Sequence, residues 1–297
     1  MSSRLRCVAP TGDRCGEGVV WHEAQNAVYW NDINRFLIHR FAVEDQCVKT
    51  WLFEEPVTAL SLTNRDDVLA VLLGSGVILW EPASDVRQKQ IFELEGWPRV
   101  RLNDGRADPR GSLWVGSMRN NVNADGSPGQ AGGEDGVLYR LDPGGAVTAH
   151  RRHIGISNTL AWSPDQRHFY FADTLKNTIW VYDYDPHTGG ISNETPFLQD
   201  FERGVPDGSA VDAEGYLWNC RFYGSCIVRV APNGTIDRVI EMPVRNVTTC
   251  TFGGPDRKTL FITTASADAN PSDRLAGALY ALDTDVAGQP ENRFRVF

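Results

Sequence analysis

The sequence predicts an all-β fold, a six-bladed β-propeller with four-stranded antiparallel blades that takes residues 1–297 as one domain. Three observations predict it. A strand–turn–strand unit recurs along the chain at a spacing of roughly 40–55 residues, the period of a propeller blade. Nine Trp accompany 28 Gly, a pairing that suits short strands and tight turns better than helices. No segment sustains a helical period, which disfavours α/β barrels and helical solenoids.

The elements follow in order. Residues 4–10 read as a strand without a blade of its own, expected to pair with the last blade and close the ring, because an open ring leaves strand edges unpaired. In the first unit a turn at 21–26 leads into an apolar strand at 27–30, and a third strand follows at 36–41. The second, weaker copy has its turn at 62–67 and strands at 68–71 and 77–80. The third has 107–112, then 113–116 and 137–141; the fourth has 162–167, then 168–171 and 178–182. The fifth has 211–216, then 217–218 and 226–230; the sixth has 252–257, then 259–262 and 278–282. Each turn is rich in Pro, Asp, Gly or Asn between apolar strands, the signature of a hairpin. A polar outer strand is expected to complete each unit.

Composition narrows the function. A formal net charge of −9 without basic runs argues against nucleic acid or an anionic membrane as partner. The opening Met-Ser-Ser-Arg-Leu-Arg-Cys has no apolar core of a secretory signal, and no apolar stretch approaches a membrane span. Six scattered cysteines without a C-x-x-C pair read as reduced thiols of a cytoplasmic protein. A monomer or weak homodimer is the default. The histidines fall in turns or outer strands, and there is no nucleophile elbow, P-loop or dinucleotide fingerprint.

Innermost strands of a propeller line its channel, so equivalent residues converge. Counting back four residues from Trp21, Leu62, Ala107, Trp162, Val211 and Phe252 gives Glu17, Thr58, Asn103, Asn158, Asp207 and Thr248, and all six carry a side-chain oxygen. Two carboxylates with the amide oxygens of Asn158 and Asn103 suit a hard divalent cation: calcium first, with magnesium, manganese, zinc or iron as alternatives. The competing local reading is that each such residue only hydrogen-bonds a turn. Arg101 lies two residues before Asn103 and is expected at the same channel mouth, where a guanidinium can fork onto a carboxylate or a pair of hydroxyls. Arg119, Asn120 and Asn121 open a long polar loop, to about Glu134, that either covers the channel or is simply solvated. Arg119 and Asn121 are its candidate substrate contacts. Arg221 is a further candidate at the mouth.

Several stretches resemble the senescence-marker-protein, gluconolactonase and regucalcin-like family. They are Gly16-Glu17-Gly18-Val19-Val20-Trp21, Arg101-Leu102-Asn103-Asp104-Gly105, Ile156-Ser157-Asn158-Thr159-Leu160-Ala161-Trp162-Ser163-Pro164-Asp165 and Pro206-Asp207-Gly208-Ser209. Asn246-Val247-Thr248 and Phe252-Gly253-Gly254 are similar to it as well. The resemblance implies a six-bladed propeller with one divalent metal, held by Glu17, Asn158 and Asp207. It implies Asp207 as catalytic base, and Arg101 and Asn103 as substrate contacts. The implied activity is metal-dependent hydrolysis of a sugar-acid lactone, aldono- or aldarolactone, to the open-chain acid. Alternatives are a metal-dependent esterase or phosphotriesterase on the same scaffold, or a non-enzymatic binding propeller, suggested by Tyr29-Trp30-Asn31-Asp32. Thr159 stands where the family usually has glycine, and Asn219-Cys220-Arg221 where small or aromatic residues are usual. These departures leave the metal set intact and bear on the substrate pocket.

Overall fold

Apolar strands cut by Asp-, Gly- and Asn-rich turns pair with their chain neighbours. In the computed structural model, which describes residues 5–296, they form six antiparallel sheets of four strands, the blades of a β-propeller. The innermost strands are Gly16–His22, Val57–Leu62, Val100–Ala107, Ser157–Trp162, Val205–Val211 and Asn246–Gly253. Each touches the next around the ring, and the sixth touches the first. They are almost wholly buried, although they carry the polar residues at positions 17, 58, 103, 158, 207 and 248.

Ring closure occurs as expected. Leu5–Ala9 pairs antiparallel with Leu279–Asp283, Leu5 opposite Leu282 and Ala9 opposite Leu279. Arg4, at the start of the expected strand, lies outside the described residues. Tyr29-Trp30-Asn31-Asp32 is a wholly buried core strand. All six cysteines are free. Among the described residues no helix is long and apolar enough to cross a membrane.

The hairpin turns of the third and fifth blades share a physical device. Asp108 Oδ1 accepts the N–H of Arg110 (2.9 Å) and Ser112 (2.8 Å), while Oδ2 accepts the Trp114 indole (3.0 Å). Asp212 repeats it with Glu214 (3.0 Å), Tyr216 (2.9 Å) and the Trp218 indole (2.8 Å). One carboxylate thus closes the turn and anchors the core tryptophan six residues on, the chemistry behind the Asp-x-x-Gly-x-Leu-Trp repeat.

The segment after the last strand crosses the opposite face of the ring. The Gln289 amide donates to Trp162 O (3.0 Å), Phe294 N to Leu62 O (2.8 Å) and Arg295 N to Gly111 O (2.9 Å). A cavity of about 40 Å³ beneath it is bounded by Arg106, Thr251 and Glu291.

Candidate active site

The inner strands aim their axial residues through a local irregularity. In all six blades the register with the second strand breaks at or just after the axial position: at Glu17/Val20, Val57/Ala59, Leu102/Gly105, Asn158/Ala161, Pro206/Ser209 and Val247/Cys250. Such bulges bend a strand and re-aim a side chain. They turn the regular alternation of a strand into a ring of residues facing the channel.

Glu17 and Asp207 meet there, nearly buried at 8% and 6% exposure, close enough for the two carboxyls to share a hydrogen bond. Glu17 accepts the N–H of Gly18 (3.1 Å), and among the described residues neither carboxyl has a basic partner in an ion pair. Burial first, then the negative charge of Asp207 and Asp104, pushes the Glu17 carboxyl well above the usual carboxylate range. Burial and then Asp104 push Asp207 the same way. Asn158 is fixed beside them: its Nδ2 donates to Thr174 Oγ1 (2.8 Å), and that hydroxyl donates to Pro206 O (2.8 Å). The Asn158 Oδ1 is thereby left toward Asn103 Nδ2, at 3.4 Å.

The other three axial oxygens are spoken for. Asn103 Oδ1 accepts Arg101 Nη1 (2.7 Å), so this residue presents its N–H side to Asn158 and not the ligand oxygen expected of it. Thr58 donates its hydroxyl to Leu72 O (3.3 Å), and Thr248 donates to Gly16 O. For these two the local reading holds, because a nearby strand carbonyl competes for the O–H.

Arg101 is 4% exposed and lies against the axial Asn103. Its Nη1 also reaches Leu102 O (2.8 Å), and its Nη2 and Nε reach Asn121 Oδ1 at 2.7 and 3.2 Å. Burial lowers its pKa to about 10. Arg101, Asn103 and Asn121 are therefore one hydrogen-bonded unit. The loop carrying Asn121 reaches the first blade, where Asn34 Nδ2 donates to Gly126 O (3.0 Å). Arg119 is half-exposed and pairs with Asp135 (2.7 Å), which Arg99 also holds (2.6 Å). Arg221 is 1% exposed and sits on the second strand of the blade that carries Asp207, opposite Pro206.

Sequence reading passed over Asp104, Arg106 and Cys15. Asp104 follows an axial residue within the bulge, and its charge is felt by both carboxyls; Arg106 partly offsets it. Asp104 was visible as the carboxylate beside an axial asparagine, but without the bulge that position predicts an outward side chain. The Cys15 thiol is pushed up by burial and then by Glu17 and Asp207, which keeps it neutral.

Among the described residues no three His, Cys, Asp or Glu side chains converge as a ligand set. The convergence is two carboxylates with one amide. Two buried carboxyls that form no ion pair among the described residues, beside an oriented amide oxygen, form an all-oxygen set that fits a hard divalent cation.

Residues 15–266 match the family described as SMP-30/Gluconolactonase/LRE-like region. The pentonolactonase XacC of Haloferax volcanii is 34% identical over 295 residues, 96% of each chain. The 6-deoxy-6-sulfogluconolactonase of Pseudomonas putida is 30% identical over 301 residues, 99% of each chain. The crystal structure of a calcium-binding protein, regucalcin, from Agrobacterium tumefaciens superposes with a TM-score of 0.90 at 27% identity, covering 98% of this chain and 97% of that one.

Proposed function

The chain belongs to the SMP-30/gluconolactonase/LRE-like family, and from that premise we propose that it is a divalent-metal-dependent lactonase, opening a sugar-acid lactone, aldono- or aldarolactone, to the free acid. The observation that carries the reading is the meeting of Glu17, Asp207 and Asn158 beside the Arg101–Asn103–Asn121 unit. Relatives named for lactone hydrolysis and a structural neighbour named as calcium-binding support it.

Glu17, Asn158 and Asp207 would hold the cation, with calcium the first expectation, and when bound it supplies Lewis-acid polarisation of the lactone carbonyl. Asp207 accepts a proton from the attacking water. A carboxylate is a weak base in bulk water, so its value lies in position. The water oxygen adds to the carbonyl carbon, the ring C–O bond breaks, and the ring oxygen takes the proton held by Asp207 and leaves as the alcohol of the open-chain acid. Asn103 and Asn121, fixed by the Arg101 fork, orient ring hydroxyls. The buried guanidinium also favours a substrate that carries a carboxylate. Arg119, farther out and held by Asp135, adds positive charge to the rim.

The test is hydrolysis by chelator-stripped protein of pentono-, hexono- and hexaro-lactones, with aryl esters and phosphotriesters alongside, restoring one divalent ion at a time. Lactone turnover that returns with an ion and is lost in Asp207→Ala is the expected result. Full lactonase activity in Asp207→Ala refutes the assignment. Preference for the esters or phosphotriesters shifts it to another hydrolase, and no turnover with any ion favours a binding propeller.

A further inference from the structure

We propose that Thr159, Asn219 and Arg221 are positioning residues that lock the backbone of Asp207 and thereby aim its carboxylate at the axis; this rests on the reading of Asp207 as a metal ligand. The bulge creates the need. Pro206 pairs with Arg221 and Ser209 with Asn219, so Asp207 and Gly208 together face the single residue Cys220. A strand carbonyl at such a break loses its regular ladder partner and must find another donor.

Two side chains supply it. The Thr159 hydroxyl donates to Asp207 O, and Asn219 Nδ2 donates to the same oxygen at 3.2 Å. Asn219 Nδ2 also lies 3.0 Å from Ser209 Oγ and 3.3 Å from Thr159 Oγ1, and those two hydroxyls are 2.9 Å apart. All three side chains are buried. Thr159 holds a φ of +54°, the left-handed region that a β-branched residue avoids. The equivalent bulge position in the first blade is Gly18, at +58°. Glycine meets that conformation without strain. Threonine in its place is strained, and what it contributes there is a hydroxyl that glycine lacks.

Arg221 fixes the other end. Its Nη1 donates to Asn219 Oδ1 (3.2 Å), which sets the amide with its N–H side toward Asp207. Its Nε donates to Arg203 O (3.1 Å), and its Nη2 to Gly204 O (2.8 Å) and Asn177 Oδ1 (2.7 Å). Arg203 and Gly204 immediately precede the strand Val205–Val211. The one guanidinium therefore grips the entry to that strand and, through Asn219, the carbonyl of Asp207 itself. Among the described residues it forms no ion pair, so its charge is free to act on the nearby carboxyl.

The test titrates the chelator-stripped, full-length protein calorimetrically with calcium, magnesium, manganese and zinc ions, and follows thermal unfolding of each metal-free form. Partners outside the ligand set typically change metal affinity about 10–100-fold. Thr159→Ala should weaken the tightest ion by about that factor, with Thr159→Ser restoring most of it. Arg221→Lys, which keeps the charge and loses the fork, should weaken it about tenfold, and it decides the matter if Thr159→Ala fails to fold. Asp207→Asn should lose binding outright. The relay is overturned if Asp207→Asn loses the ion while Thr159→Ala and Arg221→Lys bind as wild type, even where their melting temperatures fall. If wild type binds none of the ions, or Asp207→Asn binds undiminished, the ligand reading falls and the relay with it.

Discussion

Charge at Glu17 and Asp207 has opposite consequences for folding and for ion binding. Both carboxyls are pushed well above the usual carboxylate range, chiefly by burial. The metal-free folded protein therefore holds protons that the unfolded chain releases, and its stability falls as pH rises through that interval. A bound cation reverses the sign, because it needs the ionised pair and displaces their protons. Melting of chelator-stripped protein between about pH 5 and pH 8 should show a melting temperature that declines toward high pH. Saturating divalent ion should raise it most at the high-pH end. Glu17→Gln, which removes one of two repelling charges, should flatten the metal-free decline and abolish the ion's effect. If Glu17→Gln follows the wild-type pH curve, the carboxyl pair is not the source.

At the scale of the element, the Asp-anchored turns invite a comparison. Asp212 holds the turn, the Trp218 indole and also Arg229, whose Nε and Nη2 lie 2.9 and 2.7 Å away on a guanidinium that is 5% exposed. Asp108 holds the same turn and indole but receives the Tyr184 hydroxyl (2.9 Å) instead of a cation. Breaking a buried ion pair from one side costs about 3–5 kcal/mol, whereas orphaning neutral donors costs about 1–3 kcal/mol. Arg229 keeps Glu214 (2.8 Å) and Asp237 (3.0 Å) when Asp212 is removed, so denaturant unfolding should find Asp212→Ala more damaging than Asp108→Ala by only about 1 kcal/mol. Asp212→Asn should fall between, and equal losses would remove the charge from the explanation. These turns also show what was legible in sequence. Asp, Gly and Trp at fixed offsets are a local code in the third and fifth blades, and looser turns of Pro, Asp, Gly or Asn between apolar strands located the other four. Counting back a constant distance from the turn picked out Glu17, Asn158 and Asp207, because equivalent positions before the turns of the inner strands lie on one ring. The count could not tell that Thr58 and Thr248 spend their hydroxyls on Leu72 and Gly16, or that Asn103 turns its oxygen to Arg101. Those choices depend on carbonyls and side chains brought close by folding. Thr159 and Asn219-Cys220-Arg221 stood out as two separate departures from the family pattern. Only the bulge at Asp207 brings them into one network.

The whole ring is fastened in two places, and the two fastenings should fail differently. Leu5–Ala9 is an outer strand, mostly half-exposed, far from the axis. Its removal uncovers the edge of Leu279–Asp283 but leaves every inner strand in place. The crossing segment at 284–296 lies on the channel itself. It buries Phe294 to 2% exposure, ties the second, third, fourth and fifth blades, and sets Glu291 by Thr251 and within electrostatic reach of Arg106. Arg106 is also felt by Asp104, which in turn is felt by Glu17 and Asp207. Burying one phenylalanine alone contributes about 1.5–3 kcal/mol. Deleting residues 288–296 should therefore lower the melting temperature and also open the far end of the channel. Arg106, freed from Glu291, then acts more strongly on Asp104 and lessens the negative field at the axis. Divalent-ion affinity should drop several-fold. Deleting residues 1–9 should lower the melting temperature while leaving ion affinity within about twofold, since an exposed edge strand is screened from the axis. Both truncations can be followed by calorimetric ion titration beside thermal unfolding. Equal loss of ion affinity in the two would mean that the axis senses only overall stability, and that the crossing segment has no electrostatic path to the carboxylates.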